Sequence, residues 1–260
     1  MASTIALIGF GEAGSTFARA AGWGSRACAW DPVPARREAM ADCGVMAATS
    51  AAEALRGAGL VLSLVTADQA LPAAQAYAAE TAQGAIWCDM NSVAPETKRV
   101  AARIVEAAGG RYVDVAVLAP VEPARLAAPL LLSGEAAVKA EKALRAAGFR
   151  NMRIVGKEIG RASAIKMIRS IMVKGIEALT DEMMAAARAA GVVDDVLVSL
   201  DNSEKQQTWA ARAEYNLERM KTHGLRRAAE MVESAKTIES LGVVPVMTSG
   251  TIKRQRDAGH

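Results

Sequence analysis

Three glycines near the start of the chain have a spacing that could serve chemistry. Gly9, Gly11 and Gly14 follow the apolar run 4–8 directly, and a helix-like run begins at Ser15. A strand, a G-x-G-x-x-G turn and a helix bring free backbone N–H groups and the positive end of a helix dipole to one point. Gly9 permits the tight turn, Gly11 leaves room for a pyrophosphate, and Gly14 lets the helix pack closely on the strand. The motif therefore predicts a dinucleotide-binding turn.

An acidic residue follows the second apolar run. The run 27–30 ends in Asp31, close to the spacing of roughly 20 residues expected for the acid that binds the adenosine ribose. Its carboxylate can accept both ribose hydroxyls of NAD and would repel the 2′-phosphate of NADP, which Arg36 and Arg37 could bind instead. The sequence therefore predicts NAD as the cofactor, with NADP possible. Besides the three glycines, the predicted contacts from the turn are Phe10, Glu12 and Ala13.

Three polar side chains share one face of a predicted long helix. Lys166, Ser170 and Lys174 stand at i, i+4 and i+8 in the run 161–190. A solvated helix face is the simpler interpretation of that spacing. Because this helix begins where the strand–helix alternation ends, its first turns should flank the cleft at the carboxyl ends of the strands. A lysine amine in such a partly dry cleft could exchange protons near neutral pH.

Apolar strand-like runs alternate with alanine-rich helical runs up to about residue 157. The run 60–65 is almost continuously apolar, which is typical of parallel strands covered on both faces. After Gly160 only helical periodicity continues, and the predicted helices there are 161–190, 201–221, 225–241 and a last short one. The pattern predicts a doubly wound, Rossmann-type α/β domain over 1–157 and a smaller all-helical domain over 158–260.

Composition argues against several functional classes. The net charge of the 260 residues is +3, and no basic run interleaves with aromatic residues, so nucleic acid is not an expected partner. No apolar stretch has the length of a bilayer and no secretory signal opens the chain, which predicts a soluble cytoplasmic protein without a membrane partner. Three cysteines without metal spacing and only two histidines predict neither a metal site nor a Ser-His-Asp triad.

Four motifs, in this order, resemble those of the β-hydroxyacid dehydrogenases, which include 6-phosphogluconate and 3-hydroxyisobutyrate dehydrogenases. The first is the glycine turn. The segment 89–95 is similar to the family's D-x-S-T-x-x-P beside the nicotinamide, and 114–120 takes the place of its D-A-P-V-S-G-G substrate loop. The segment 160–170 matches G-x5-K-x3-N, with Ser in place of Asn. The stretch 223–231 resembles a divergent subgroup with a small helical domain of unassigned function.

The resemblance implies roles for individual residues. Lys166 would be the general acid/base at the substrate hydroxyl, and Ser170 would replace the family's substrate-binding Asn. The implied cofactor contacts beyond the glycine turn are Asn91 and Ser92 near the nicotinamide ribose, and Val65 and Thr66 after the fourth strand. A hydride would pass between the carbinol carbon of a hydroxy-acid or alcohol substrate and the nicotinamide, while neutral Lys166 takes the hydroxyl proton without a metal.

The loop at 118–120 departs from the family pattern. Leu118, Ala119 and Pro120 stand where Ser-Gly-Gly would hold a carboxylate, and neither a hydroxyl on residue 118 nor an N–H on residue 120 is available. We expect a bulkier or less polar substrate at this loop. The predicted substrate contacts are Leu118, Ala119, Pro120 and Lys174.

Two other functions stay open at this point. An imine reductase would share the architecture, although those enzymes usually place Asp or Tyr where Lys166 stands. A dinucleotide-binding sensor without catalysis would be compatible with the changes at Leu118, Pro120 and Ser170. We also expect a homodimer, because a Met-rich, apolar helical part of about one hundred residues needs a partner to cover it.

Overall fold

The computed structural model describes residues 4–203 and 208–259, and within them it leaves aside five side chains, those of Lys174, Glu177, Glu230, Glu233 and Lys236. The chain divides into two compact units, Met1–Arg169 and Ser170–His260. This division falls after Arg169 and not after residue 157, where the sequence placed the domain boundary. The segment from 158 to 169 groups with the sheet because its backbone is hydrogen-bonded to side chains that the strands carry.

One mostly parallel sheet organises the first unit. Its strands are β1 (Ile5–Ile8), β2 (Ala27–Trp30), β3 (Met46–Ala47), β4 (Leu60–Ser63), β5 (Ile86–Asp89), β6 (Arg111–Val117), β7 (Leu130–Ser133) and β8 (Met152–Gly156). They lie in the order β3-β2-β1-β4-β5-β6-β7-β8, and only β6 and β7 are antiparallel. The strand order reverses between β1 and β4, which confirms the predicted doubly wound fold. Ligands of such sheets bind in the crevice at the carboxyl ends of these two strands.

Helices cover both faces of the sheet. They are α1 (Glu12–Ala21), α2 (Arg36–Asp42), α3 (Ala51–Leu55), α4 (Ala70–Tyr77), α5 (Pro95–Ala107) and α6 (Ala137–Ala146). Successive strand residues enter opposite cores, since Leu7 packs in one apolar cluster and Ile8 in the other. Burial on both faces explains why the strands are apolar throughout instead of alternating.

The described part of the second unit is helical. The long helix α7 (Arg161–Ala190) has the predicted bounds, but it starts in the first unit, whereas the sequence assigned it to the helical domain. It is followed by α8 (Val193–Ser203), α9 (Trp209–Ser240) and α10 (Val246–Ala258). None of the helices within 4–203 and 208–259 combines the length and the apolar character that crossing a bilayer requires.

Two helix predictions in this unit were wrong. Helices were expected over 201–221 and 225–241, but α9 runs through residue 224 without a break, and part of the first range (204–207) lies outside the described residues. Gly224 does not end the helix. A Cβ at this position would lie 2.2 Å from the carbonyl oxygen of Gln255, so the glycine permits close packing of α9 against α10.

Candidate active site

The glycine turn has the geometry that a phosphate-binding turn requires. Gly9 has a φ of +92°, and a Cβ there would lie 2.6 Å from the carbonyl oxygen of Leu64. A Cβ at Gly14 would lie 2.9 Å from the carbonyl oxygen of Gly9, so this glycine sets the close approach of α1. Over Gly11, no atom of the described chain comes within 4 Å of the Cβ position. The open space over Gly11 beside the N-terminus of α1 fits a pyrophosphate.

Asp31 is bound to the glycine turn. One carboxylate oxygen accepts the N–H of Phe10 at 2.8 Å, and the other accepts the N–H of Val33 at 2.9 Å. Each oxygen keeps a further lone pair, so the carboxylate can still accept ribose hydroxyls. It lines a pocket of about 370 Å³ together with Trp30, Arg36, Val65, Thr66 and Tyr77. The size and position of this pocket suit the adenosine half of a dinucleotide.

A second cleft, of about 440 Å³, lies at the carboxyl ends of β1, β4, β5 and β6. Five of the predicted cofactor residues line it: Glu12, Ala13, Val65, Asn91 and Ser92. Ala119 and Pro120 from the predicted substrate loop line it as well, and so does Lys166. The amine of Lys166 donates a hydrogen bond to the hydroxyl of Ser92. The structure thus brings the predicted acid/base to the same cleft as the start of α1.

Four of the predicted site residues differ from the expectation or stay predictions. Phe10 is buried, and only its backbone N–H takes part, through Asp31. The side chain of Leu118 packs in a small apolar cluster apart from the cleft lining, while its carbonyl accepts a 3.3 Å hydrogen bond from Arg169. Ser170 follows Lys166 by one helical turn on α7, and its substrate contact stays a prediction. The predicted contact from Lys174 falls on a side chain outside the described residues.

A buried ion group lies where the end of β5 meets the middle of β6. Lys98 is 0% exposed, and its Nζ lies 2.9 Å from Oδ1 of Asp89, 2.6 Å from the Asp89 carbonyl and 3.5 Å from Oδ1 of Asp114. The Tyr112 hydroxyl donates to the other Asp89 oxygen at 2.5 Å. Burial and the charge of Asp89 raise the pKa of Tyr112 well above 10, so the phenol remains a donor. Asp89 is therefore an acceptor that is bound from several sides.

The turn that precedes α7 packs against α5. Gly160 has a φ of +97°, and a Cβ there would lie 3.1 Å from Cβ of Pro95. Within the first turn of α7, Ser163 donates to Asp114 through both its N–H, at 2.9 Å, and its hydroxyl, at 3.1 Å. These contacts explain why a glycine six residues before Lys166 belongs to the motif, since it lets the helix begin beside the cleft.

Sequence reasoning missed the role of Lys98. It stands beside Arg99 in a run that suggests a solvated helix face. Helical spacing could have indicated burial, because Lys98 lies on the same face of α5 as three apolar residues. The buried residues of this helix are Lys98, Ala101, Ala102 and Val105. A lysine on the apolar stripe of a helix needs a buried counter-ion, which the aspartates of β5 and β6 supply.

Comparison with known families gives two matches that divide the chain. Residues 4–156 match the NAD binding domain of 6-phosphogluconate dehydrogenase. Residues 187–258 match a domain of unknown function, DUF1932. Together the two matches take in most of the sheet unit and most of the helical unit. They agree with the resemblance derived from the four motifs.

Solved structures resemble the whole chain. A conserved hypothetical protein from Sinorhizobium meliloti is 37% identical, with a TM-score of 0.65 over 98% of this chain and 88% of that one. A conserved protein described as structurally similar to 3-hydroxyacid dehydrogenases is 30% identical, with a TM-score of 0.64 over 98% and 96% of the two chains. The imine reductase from Myxococcus stipitatus, solved with NAD+, is 20% identical, with a TM-score of 0.78 over 100% and 96%. At that identity the last likeness concerns the fold alone.

The match to the cofactor domain extends over more than half of the chain, and the glycine turn, Asp31 and the open space over Gly11 fit the cofactor that it implies. The chain has the NAD(P)-binding dehydrogenase fold shared with 3-hydroxyacid dehydrogenases and imine reductases. It belongs to the family defined by the NAD-binding domain of 6-phosphogluconate dehydrogenase.

Proposed function

We propose that this protein is an NAD(P)-dependent oxidoreductase that transfers a hydride between the nicotinamide and a hydroxyl-bearing or carbonyl carbon of a small substrate. The observation that supports this most strongly is the position of Lys166, whose amine enters the 440 Å³ cleft and donates to Ser92. The same cleft is lined by Glu12 and Ala13 at the start of α1, next to the phosphate-binding turn. A proton-transferring amine and a dinucleotide site at one cleft are the two parts that hydride transfer to a carbonyl needs.

Proton transfer is assigned to Lys166. In oxidation the neutral amine takes the proton of the substrate hydroxyl while the carbinol carbon gives its hydride to the cofactor, and the product is a carbonyl. In reduction the ammonium returns that proton to the carbonyl oxygen. Bound NAD(P) supplies the hydride acceptor or donor. Ser92 orients the amine by accepting one of its hydrogens.

The cleft lining favours a substrate without a carboxylate at the loop 119–120. Ala119 and Pro120 offer neither a hydroxyl nor, at Pro120, an N–H group, and the carboxylate of Glu12 lines the same cleft. A second carboxylate brought close to Glu12 would meet a like charge. We therefore propose an uncharged or weakly polar carbonyl or alcohol as the substrate class.

Imine reduction is the second candidate function, and Glu12 is the observation that favours it. A carboxylate in an apolar cleft would stabilise the positive charge of an iminium substrate. In that case Lys166 would act beside a cation, which costs electrostatic energy, so the carbonyl substrate remains our first choice. Glu12→Gln separates the two candidates through the ratio of two rates measured with the same cofactor, because it should lower turnover of imines more than turnover of neutral carbonyls.

The test is a panel of neutral ketones and aldehydes, keto acids and cyclic imines, assayed by NADH and NADPH consumption. We expect turnover with at least one neutral carbonyl compound and a large loss of it in Lys166→Met. If the protein binds NADH but consumes none with any compound, the sensor function is favoured and the proposed reaction is wrong. Turnover only with imines would favour imine reduction as the function.

We also propose that the protein is a homodimer. Helices of the second unit expose large apolar side chains, with Ile171 74% and Val198 59% exposed. The other exposed apolar residues of α7 and α8 in this unit include Met172, Ile176, Leu179, Leu197 and Leu200. Soluble monomers rarely expose so many apolar side chains on neighbouring helical turns, so a second copy of the chain is the simplest cover for them.

A further inference from the structure

The buried group of Asp89, Lys98 and Asp114 contacts two separate parts of the cleft wall. Asp89 at the end of β5 binds the segment that carries Asn91. Asp114 in β6 binds the first turn of α7, which precedes Lys166. Lys98 is the cation common to both, and all three side chains have at most 2% of their surface exposed. Its position between the two parts suggests more than a contribution to stability.

Asp89 fixes the orientation of the Asn91 side chain. Nδ2 of Asn91 lies 2.7 Å from Oδ1 of Asp89 and 3.0 Å from the hydroxyl of Ser63. Oδ1 of Asp89 accepts from Asn91 and from Lys98, so the amide directs its NH₂ group inward and its oxygen the other way. That oxygen, Oδ1, is buried and has no hydrogen-bond partner among the described residues. Asn91 is 5% exposed and is one of the residues that line the cleft, so a ligand in the cleft is the candidate donor for this oxygen.

Asp114 fixes the start of the helix that bears Lys166. Its Oδ2 accepts the N–H of Ser163 at 2.9 Å, the hydroxyl of Ser163 at 3.1 Å and the hydroxyl of Ser133 at 3.2 Å. Ser133 in turn accepts the N–H of Ala162 at 3.1 Å. Two backbone N–H groups of the first turn are therefore held from β6 and β7. Lys166 follows Ser163 by three residues and shares its side of the helix.

Lys98 holds both aspartates in place. Its amine donates to Oδ1 of Asp89, the same oxygen that accepts the Asn91 amide, and it balances the charge of Asp114. Without Lys98, the two carboxylates would be buried beside each other with no counter-charge, and Asp89 would lose a donor that fixes its position. The Asn91 amide could then turn and present NH₂ to the cleft, and Asp114 would hold the first turn of α7 less firmly.

We propose that Lys98 is a positioning residue that holds the Asn91 amide with its oxygen toward the cleft and, through Asp114, the first turn of α7. The ligand at Asn91 must then bring a hydrogen-bond donor, such as the carboxamide NH₂ or a ribose hydroxyl of the nicotinamide half of the cofactor. This assignment rests on the proposed placement of the nicotinamide in the 440 Å³ cleft. Lys98 itself contacts neither the cofactor nor the substrate.

The test compares Lys98→Met with wild type in the binding of NADH and of ADP. ADP contains the adenosine and diphosphate but lacks the nicotinamide half, so it reports the glycine turn and Asp31 alone. We expect the NADH dissociation constant to rise about tenfold or more, as for loss of a hydrogen bond in a charged network, with ADP binding unchanged. Arg103→Met is the matched control, since it removes a cation from the exposed face of the same helix and should change neither constant.

Two further variants keep the test decisive if Lys98→Met does not fold. Lys98→Met combined with Asp114→Asn preserves the net charge of the buried group but still removes the Lys98 donor to Asp89, and Asn91→Ala removes the acceptor while the three ions remain. Both changes should weaken the binding of NADH and leave the binding of ADP unchanged. Equal weakening of NADH and ADP, or NADH binding as in wild type, would overturn the proposal for Lys98. Failure of the wild-type protein itself to bind NADH would instead contradict the proposed function.

Discussion

The amine of Lys166 lies at the cleft because of what surrounds the start of α7. Gly160 lets the chain pass close to Pro95, Asp114 holds the first turn, and Ser92 accepts a hydrogen bond from the amine. The proton transfer proposed for Lys166 would therefore depend on these contacts as well as on the residue type.

Replacing Lys166 tests its chemical role. In Lys166→Met the apolar stem is kept and the proton-transferring group is lost, so kcat should fall by about 10²–10⁴-fold with the best carbonyl substrate. The NADH dissociation constant, measured by fluorescence titration, should stay within a few-fold of the wild-type value. Arg188→Met, which removes an exposed cation further along the same helix, is the matched control. Unchanged kcat in Lys166→Met would remove the residue from the mechanism.

Asp31 should determine which dinucleotide is preferred. Its carboxylate repels a 2′-phosphate, and Arg36 lines the same pocket. In Asp31→Asn the ratio of NADPH to NADH dissociation constants should therefore fall about tenfold or more, equivalent to a relative gain of about 1.4 kcal/mol for NADPH. Glu38→Gln, on the exposed face of α2, should leave the ratio unchanged. An Asp31→Asn protein with the wild-type ratio would show that Asp31 only holds the turn through Phe10 and Val33.

At the scale of the elements, Gly224 governs how α9 and α10 pack. In Gly224→Ala the new methyl group would collide with the carbonyl of Gln255, and the free energy of unfolding should fall by about 1–3 kcal/mol in urea titration. Gly250 in α10 provides the control, because no described atom lies within 4 Å of its Cβ position. Gly250→Ala should stabilise by up to about 1 kcal/mol. Equal effects of the two substitutions would contradict the close packing.

The N-terminus of α10 is bound by a carboxylate from α7. Glu182 accepts the N–H of Met247 at 2.6 Å, and the N–H and the hydroxyl of Thr248 at 2.8 and 2.6 Å. Burial alone would raise the pKa of Glu182, but these hydrogen bonds outweigh it and lower the pKa below 4.5. The stabilisation is therefore complete above pH 4.5 and is lost as the pH falls through the lowered pKa.

Glu182→Gln tests this contact. At pH 7 the free energy of unfolding of the variant should be about 1–3 kcal/mol lower than that of wild type, since the variant loses a charged acceptor for backbone N–H groups. The difference between the two proteins should shrink as the pH falls below 4.5, because the wild-type carboxyl becomes neutral. Denaturant titrations from pH 7 to pH 3 measure this difference in the free energy of unfolding. Curves that stay parallel over this range would show that the Glu182 charge does not contribute.

The elements show what sequence patterns can and cannot provide. Short apolar runs and the Pro95 helix start predicted the strands and α5, because burial on both sheet faces leaves a strong signal. The continuous α9 could not be foreseen, since Gly224 is also the residue expected where a helix ends. The glycine turn was predictable from spacing, and the place of Lys166 at the cleft from the position of its helix and the family resemblance. The network around Lys98 was not, because its partners come from β4, β5, β6 and β7, and only the fold brings them together.

At the scale of the whole molecule, the exposed apolar residues of the second unit predict association of two chains. Light scattering coupled to size exclusion at micromolar concentration should give twice the 27.1 kDa of one chain. Ile171→Glu should lower the measured mass or weaken the dimer, because a charge would then have to be buried in the interface. Arg188→Glu on the same helix is the control. A wild-type mass of one chain would contradict the dimer.

A crystal structure of the protein with NADH tests the proposed hydride transfer most directly. We expect the adenosine beside Asp31, the pyrophosphate over Gly11, and the nicotinamide in the cleft with its C4 facing the amine of Lys166 across room for one small substrate. A donor of the nicotinamide half should lie on Oδ1 of Asn91. A nicotinamide bound outside this cleft, or a Lys166 amine turned away from the ring into solvent, would contradict it.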